Sequence, residues 1–172
     1  PLGVYGASKL AGEDAIRASG ARHAILRTAW VYAAHGKNFM RTMLRLAAER
    51  EELRVVADQV GSPTTAEWIA AATVPAIRAM LDDPDRSVGV RHLTAAGETT
   101  WHGFATAIVD IAHARGSIAR KPSVVPIPAA DYPTPARRPA YSVLDNGRLS
   151  AELGITWPHW REGLERALAL LS

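Results

Sequence analysis

Apolar positions along the chain follow two rhythms, and the alternation between them predicts the layout of the fold. Helical spacing runs from Tyr5 to about Ser19, where Ala and Leu share the turns with Glu13, Asp14 and Arg17 and Gly20 supplies a stop. It returns over Phe39 to Glu49, with Phe39, Met43, Leu46 and Ala47 on one stripe, and over Ala66 to Leu81, where Pro75 should kink or split the helix before the stop at 82–85. Thr99 or Thr100 caps a further helix to about Arg115, with Phe104, Ile108, Ile111 and Ala112 inward. The stripe Trp160, Leu164, Ala167, Leu168 and Leu171 marks the last one.

Short apolar runs separate these helices. Ala24 to Thr28 reads as a buried parallel strand, continued by Ala29-Trp30-Val31-Tyr32 and followed by a polar loop at 35–38. Leu53 to Ala57, Gly89 to Thr94 and Val124 to Ile127 read as further strands, and 58–64 as a turn-rich segment. The proline-rich stretch from Pro128 to Pro139 predicts an ordered loop without regular structure. Strands alternating with helices of this length predict an α/β fold with parallel strands.

Composition narrows the class without choosing a function. The 172 residues suffice for one cored domain, and 48% hydrophobic with 22% charged residues is ordinary globular usage. There is no cysteine, so disulfides and thiolate metal sites are excluded, and a reducing cytoplasm is the expected location. No apolar run approaches the ~20 residues that span a bilayer, and no signal-peptide pattern is read at the start, so no membrane partner is expected. The net charge is +3, and the arginines are dispersed rather than massed on one element, which argues against nucleic acid. The six histidines show no paired ligand spacing.

Candidate chemistry begins with Tyr5-Gly6-Ala7-Ser8-Lys9. Tyrosine and lysine four apart on a helix share a face, and an ammonium beside a phenol favours the phenolate. Such a tyrosine can exchange a proton with a carbonyl oxygen, while the small residues around it leave room for a flat ring. Alone, the pair is better read as a surface tyrosine and a surface lysine that share a face, since a two-residue pattern arises by chance in many proteins.

Six further stretches change the odds: Arg27-Thr28-Ala29-Trp30-Val31-Tyr32, Gly36-Lys37-Asn38-Phe39, Asp58-Gln59-Val60-Gly61-Ser62-Pro63-Thr64, Gly97-Glu98-Thr99-Thr100-Trp101, Tyr132 to Pro139, and Trp160-Arg161-Glu162-Gly163-Leu164. With the Tyr-Lys segment, they resemble the extended short-chain dehydrogenase/reductase family, and within it the branch that reduces nucleotide sugars for rhamnose synthesis. The resemblance runs from end to end in order and spacing. It implies hydride transfer from NADPH, with NADH as the alternative, to C4 of dTDP-4-dehydro-L-rhamnose, giving dTDP-L-rhamnose for cell-surface polysaccharide. Tyr5 would be the general acid. Lys9 would hold the nicotinamide ribose, and Thr28 and Ala29 would pass the carboxamide.

The same resemblance implies substrate contacts at Trp30, Asn38, Gln59, Ser62, Thr64 and Arg138. Trp30 would pack on the deoxysugar, with core filler at a strand end as its plainer reading. Asn38 would reach the diphosphate, or cap a helix, or both. Gln59, Ser62 and Thr64 would border the pocket, a plain turn being nearly as good a reading of each. Arg138 would set a guanidinium fork on the diphosphate. Arg137 is left unassigned. Some reductases of this type hold a divalent ion such as Mg at a dimer contact through glutamates. One or more of those ligands would lie upstream, so no metal residue is assigned, and a homodimer stays open.

One expected part is missing. No G-x-x-G-x-x-G occurs to cradle a pyrophosphate, and the serine or threonine that completes the family's catalytic trio is absent. The chain is therefore expected to be the C-terminal part of a Rossmann-like enzyme, without its N-terminal Gly-rich βαβ units. Residues 1–35 would close the Rossmann domain with the catalytic helix. Residues 36–172 would form mostly the smaller sugar-nucleotide-binding lobe, interleaved with a last Rossmann strand. Alone it should turn over poorly, with the N-terminal half as its partner. Two other functions stay open: a nucleotide-sugar epimerase or dehydratase of the same family, and a non-catalytic regulatory subunit.

Overall fold

The computed structural model describes residues 1–83, 89–136 and 138–171, and it is an α/β structure with mainly parallel strand pairing. In chain order the elements are α1 (Val4–Ala18), β1 (Ala24–Arg27), β2 (Val31–Tyr32), α2 (Phe39–Glu49), β3 (Glu52–Val56), β4 (Val60–Gly61), β5 (Thr64–Thr65) and α3 (Ala66–Asp82). Then follow β6 (Gly89–His92), β7 (Thr99–Thr100), α4 (Trp101–Ala114), β8 (Ser123–Ile127), a 3-10 turn (Ala129–Asp131), α5 (Gly147–Leu153) and α6 (Trp160–Ala169). β1 pairs with β6, β2 with β5 and β3 with β8, all parallel, while β4 and β7 run antiparallel.

The main core is built around α4, whose Phe104, Ala105, Ile108, Val109 and Ala112 are buried. Helix α4 is apolar over most of its circumference because neighbours cover it on several sides. Met40, Met43 and Ala47 reach it from α2, Leu53 and Val55 from β3, and Leu164, Ala167 and Leu168 from α6. A smaller cluster of Ala72, Leu93 and Leu149 joins α3 and α5 beneath β6. The N-termini of α4 and α6 are both capped by side chains, the first by one of the two threonines that the spacing suggests. Thr100 accepts from the Gly103 N–H at the start of α4, and His159 with Glu162 forms a reciprocal capping box on α6.

The structure departs from the sequence pattern at several places. Ala29 to Tyr32 does not continue β1, because Trp30 adopts a left-handed backbone with φ 50°. The chain turns there, and β2 pairs instead with β5. The segment 58–64 is not only turn, since it contains β4 and the start of β5. Pro75 does not split α3, which runs unbroken from Ala66 to Asp82. Buried Ala72 and Ala76 hold the helix on either side of the proline, so packing outweighs the missing N–H. The expected strand from Gly89 ends at His92 because the Asn146 side chain takes over the ladder at Thr94: it accepts from the Thr94 N–H at 3.1 Å and donates to the Thr94 carbonyl at 2.7 Å. Helix α5 follows directly and has no counterpart in the sequence reading. The proline-rich loop holds one 3-10 turn. Pro84 and Asp85 of the expected stop lie outside the described residues, as does Arg137.

Helix α1 is the exception to this packing, for none of its residues is buried. It starts without a side-chain cap at Gly3 and ends where Gly20 turns left-handed at φ 67°.

Candidate functional site

Tyr5 and Lys9 stand one turn apart on α1, with the Lys9 ammonium 5.5 Å from the centre of the Tyr5 ring. Tyr5 is 74% exposed. Neither side chain hydrogen-bonds to another described residue, so both are open to an incoming molecule. On the same helical face, one further turn along, Glu13 receives Nε and Nη2 of Arg27, each at 2.7 Å, and Nη2 of Arg17 at 2.9 Å. These guanidinium groups, Arg27 first, hold the Glu13 carboxyl below its ordinary range. Arg27 closes β1, so Thr28 and Ala29 follow directly from the point where α1 is tied down.

Trp30 comes next, and its left-handed backbone turns the indole onto Trp101. The two rings stack 3.5 Å apart and are parallel to within 4°. Gly61 lies against the edge of the same indole, where any Cβ would overlap the ring. Trp101 in turn meets Phe39 at 4.6 Å. This aromatic row closes one end of a cleft of about 1030 Å³ between α2, β3 and the loop after β8. Its floor is apolar, through residues such as Phe39, Leu46, Leu53 and Trp101, and its rim carries Arg45, Arg50, Arg54 and Arg138. Arg45 is paired with Glu49 at 2.8 Å. Among the described residues, no ion pair engages Arg50, Arg54 or Arg138. A flat apolar floor under free guanidinium groups suits a molecule that joins a ring to an anionic phosphate chain.

Two devices hold the cleft wall. The Asp58 carboxylate accepts from the Ala129 N–H at 2.9 and 3.0 Å, pinning the 3-10 turn beside Tyr132. Beyond Arg138 the chain is strapped across β4: the Val60 N–H donates to the Ala140 carbonyl at 2.8 Å, and the Ser142 N–H returns to the Val60 carbonyl at 2.9 Å. Tyr141 then donates its hydroxyl proton to Glu98 at 2.7 Å, and that carboxylate raises the phenol above its usual range.

Of the residues singled out in the sequence, Gln59 and Arg138 line the cleft, and Trp30 stands directly behind it. Tyr5 and Lys9 on α1, and Thr28 and Ala29 after β1, do not line it. Ser62 and Thr64 lie inside the fold. Both are 1% exposed, and their hydroxyls are spent inside the fold. Ser62 donates to the Gly97 carbonyl at 2.7 Å, while Thr64 donates to the Ser62 carbonyl and accepts from the Ala95 N–H at 3.0 Å. They hold the turn. Asn38 resolves toward its capping reading: Oδ1 accepts from the Arg41 N–H, and Nδ2 donates to the Ala33 and His35 carbonyls at 2.8 and 3.1 Å. Both amide protons are thus engaged within the chain.

Trp101 is the residue that sequence reasoning passed over. Its place immediately after the Thr100 cap was the available signal, since a helix's first residue projects from the core edge. Among the described residues, no group of three or more His, Asp or Glu stands close enough to hold a metal ion. No described helix is long and apolar enough to cross a membrane.

Comparison with known proteins agrees with this geometry. The model of the RmlD substrate binding domain matches residues 1–172. The chain is 50% identical over 166 residues to a dTDP-4-dehydrorhamnose reductase of Burkholderia thailandensis, covering 94% of this chain and 56% of that one. It is 46% identical over 168 residues to the Escherichia coli K12 protein of the same name, covering 98% and 56%. The crystal structure of a Bacillus anthracis dTDP-4-dehydrorhamnose reductase in complex with NADP superposes with a TM-score of 0.84 at 35% identity, covering 99% of this chain and 56% of that one. The chain thus spans a little over half the length of the curated relatives it matches.

Proposed function

Because the chain belongs to the RmlD substrate binding domain family, we propose that it supplies the substrate lobe and the proton-donating helix of a reductase that converts dTDP-4-dehydro-L-rhamnose to dTDP-L-rhamnose. The observation that carries this reading is the pairing of an open Tyr5–Lys9 couple on α1 with an arginine-rimmed, aromatic-ended cleft in one chain. The names of the relatives support the substrate, and the NADP in the Bacillus anthracis structure supports the cofactor.

The exposed Lys9 ammonium and Tyr5 hydroxyl are the donor and acceptor types that nicotinamide ribose hydroxyls require, so the residues present fit that end of NADPH. Tyr5, Lys9 and the backbone of Thr28 and Ala29 would hold it. NADPH, when bound, supplies the hydride. Tyr5 gives its proton to the C4 oxygen of the sugar as negative charge builds there, and the Lys9 ammonium stabilises the phenolate that remains. Arg138 and Gln59 hold the nucleotide diphosphate at the cleft rim, and the free face of the Trp30 indole carries the deoxysugar. NADH is the alternative donor, and no metal enters the scheme.

On this reading residues 1–35 complete a Rossmann domain and 36–172 form mostly the substrate lobe. The parallel pairing of β6 with β1 supports this division. An N-terminal half bearing the Gly-rich turn is the partner, and the cytoplasm is the compartment. The test is NADPH oxidation with dTDP-4-dehydro-L-rhamnose, by the chain alone and with the N-terminal half supplied. The joined protein should turn over and the chain alone should not, and Tyr5→Phe should lower kcat by roughly 10²–10⁴-fold. Full turnover by Tyr5→Phe would overturn the assignment of Tyr5 as the acid, whereas a protein without turnover whose Tyr5→Phe variant kept full cellular function would point to a regulatory subunit. Product formation without net NADPH consumption would point to an epimerase.

A further inference from the structure

Helix α1 carries the proposed acid and has no residue buried by the rest of this chain, so what ties it to β1 here is polar. Among the described residues, the only side-chain hydrogen bonds from α1 to another element are the two that Glu13 accepts from Arg27. The geometry is that of a carboxylate–guanidinium fork, with both oxygens engaged at 2.7 Å, which restrains angle as well as distance. An ordinary exposed ion pair contributes little. This one differs, because the Glu13 side chain is only 12% exposed and Arg17 closes over it from the next turn. Tyr5, Lys9 and Glu13 follow each other at intervals of four residues, so the three lie on one face of α1. At the other end of the fork, Arg27 immediately precedes Thr28, Ala29 and Trp30, and its carbonyl accepts from the Leu93 N–H at 2.8 Å. The fork therefore joins the face that bears the proton donor to the strand end that bears the sugar-facing tryptophan.

We propose that Glu13 is a positioning residue: through Arg27 it sets where the Tyr5 hydroxyl and the Lys9 ammonium stand relative to Thr28, Ala29 and Trp30. It touches neither cofactor nor substrate. The inference rests on the reading of Tyr5 as general acid, and it deepens that reading by naming what holds the acid in place. A misplacement of about 1 Å costs on the order of 10²-fold in rate, whereas the arginine-rimmed cleft lies on other elements and should be indifferent.

The experiment uses Glu13→Ala in the protein joined to its N-terminal half, with two readouts. In steady-state reduction of dTDP-4-dehydro-L-rhamnose, kcat should fall by about 10–100-fold while KM for the sugar nucleotide stays within about twofold. In hydrogen exchange, the amides of 4–18 should exchange at least about tenfold faster while those of α4 stay unchanged. An unchanged kcat, or a loss confined to KM, would overturn the proposal even if α1 loosens. Unchanged exchange in α1 would overturn it as well. Should the unsubstituted enzyme fail to reduce the ketosugar, that failure falls on the functional reading, and the exchange measurement still decides whether Glu13 anchors the helix.

Discussion

The α4 region and the α1 corner are held by opposite means. Around α4, buried side chains from α2, β3 and α6 interlock, and the cleft inherits a rigid floor from them. Helix α1 rests on the surface of the molecule, restrained by one carboxylate and the arginines around it. The difference teaches where binding and chemistry separate. On the proposed reading, a cleft framed by the core would select a nucleotide sugar without help, while a proton donor on α1 would depend on whatever else docks against that corner.

The largest effect that distinguishes the two regions is expected in the core. Phe104 is fully buried and touches Tyr32, Phe39 and Trp160, so Phe104→Ala should cost about 3–5 kcal/mol by denaturant unfolding. Truncating exposed Ile16 on α1 should cost no more than ~0.5 kcal/mol. A comparable loss at both sites would erase the contrast.

Next in size is the ion pair beneath β6, where Arg91 sends Nε and Nη2 to Glu152 at 2.7 and 2.6 Å with its own side chain only 7% exposed. Arg91→Ala removes the two-pronged contact and leaves the half-enclosed carboxylate with Arg148 at 3.3 Å, and thermal unfolding should register about 1.5–3 kcal/mol.

Arg138→Ala should weaken dTDP binding by about tenfold through loss of a charge-assisted contact, with the midpoint of unfolding unmoved, because the arginine is exposed. Isothermal titration checks the first half and thermal unfolding the second.

Acid should have the mildest effect, and it should be felt in both regions. The Glu13 and Glu152 carboxyls are held below 4.5, chiefly by hydrogen bonds from Arg27 and Arg91 respectively. A depressed folded-state value means that each contribution is complete above the unfolded value and fades as pH falls through the folded one. Hydrogen exchange should therefore show α1 and α5 loosening below about pH 4 before α4 does. Loosening on raising the pH from neutrality would contradict the sign.

Much of this arrangement was readable in the chain. The bounds of α2 and the inward positions Phe104, Ile108 and Ala112 of α4 follow from side-chain period, although α4 is covered on further sides as well. The common face of Tyr5 and Lys9 is equally local. The failures have a shared cause in contacts between residues distant in sequence. Trp30 leaves the strand because a ring at position 101 and the absence of a side chain at 61 receive it, and no window around Trp30 contains that information. Ser62 and Thr64 sit in a stretch that resembles a pocket border, yet they are claimed by carbonyl and N–H groups some thirty residues away at Gly97 and Ala95. Helix α5 is seven residues long, too short to register as a period, and depends on packing through Leu149. Pro75 survives inside α3 for the same kind of reason.

The central claim, that this chain binds the nucleotide sugar in its cleft while the reacting end lies at a separate corner, is tested most directly by hydrogen exchange of the chain with and without dTDP. Saturable protection of 39–56 and of the segment around Arg138, with α1 unaffected, is the expected result. Protection confined to α1, or none at saturating dTDP, would contradict it.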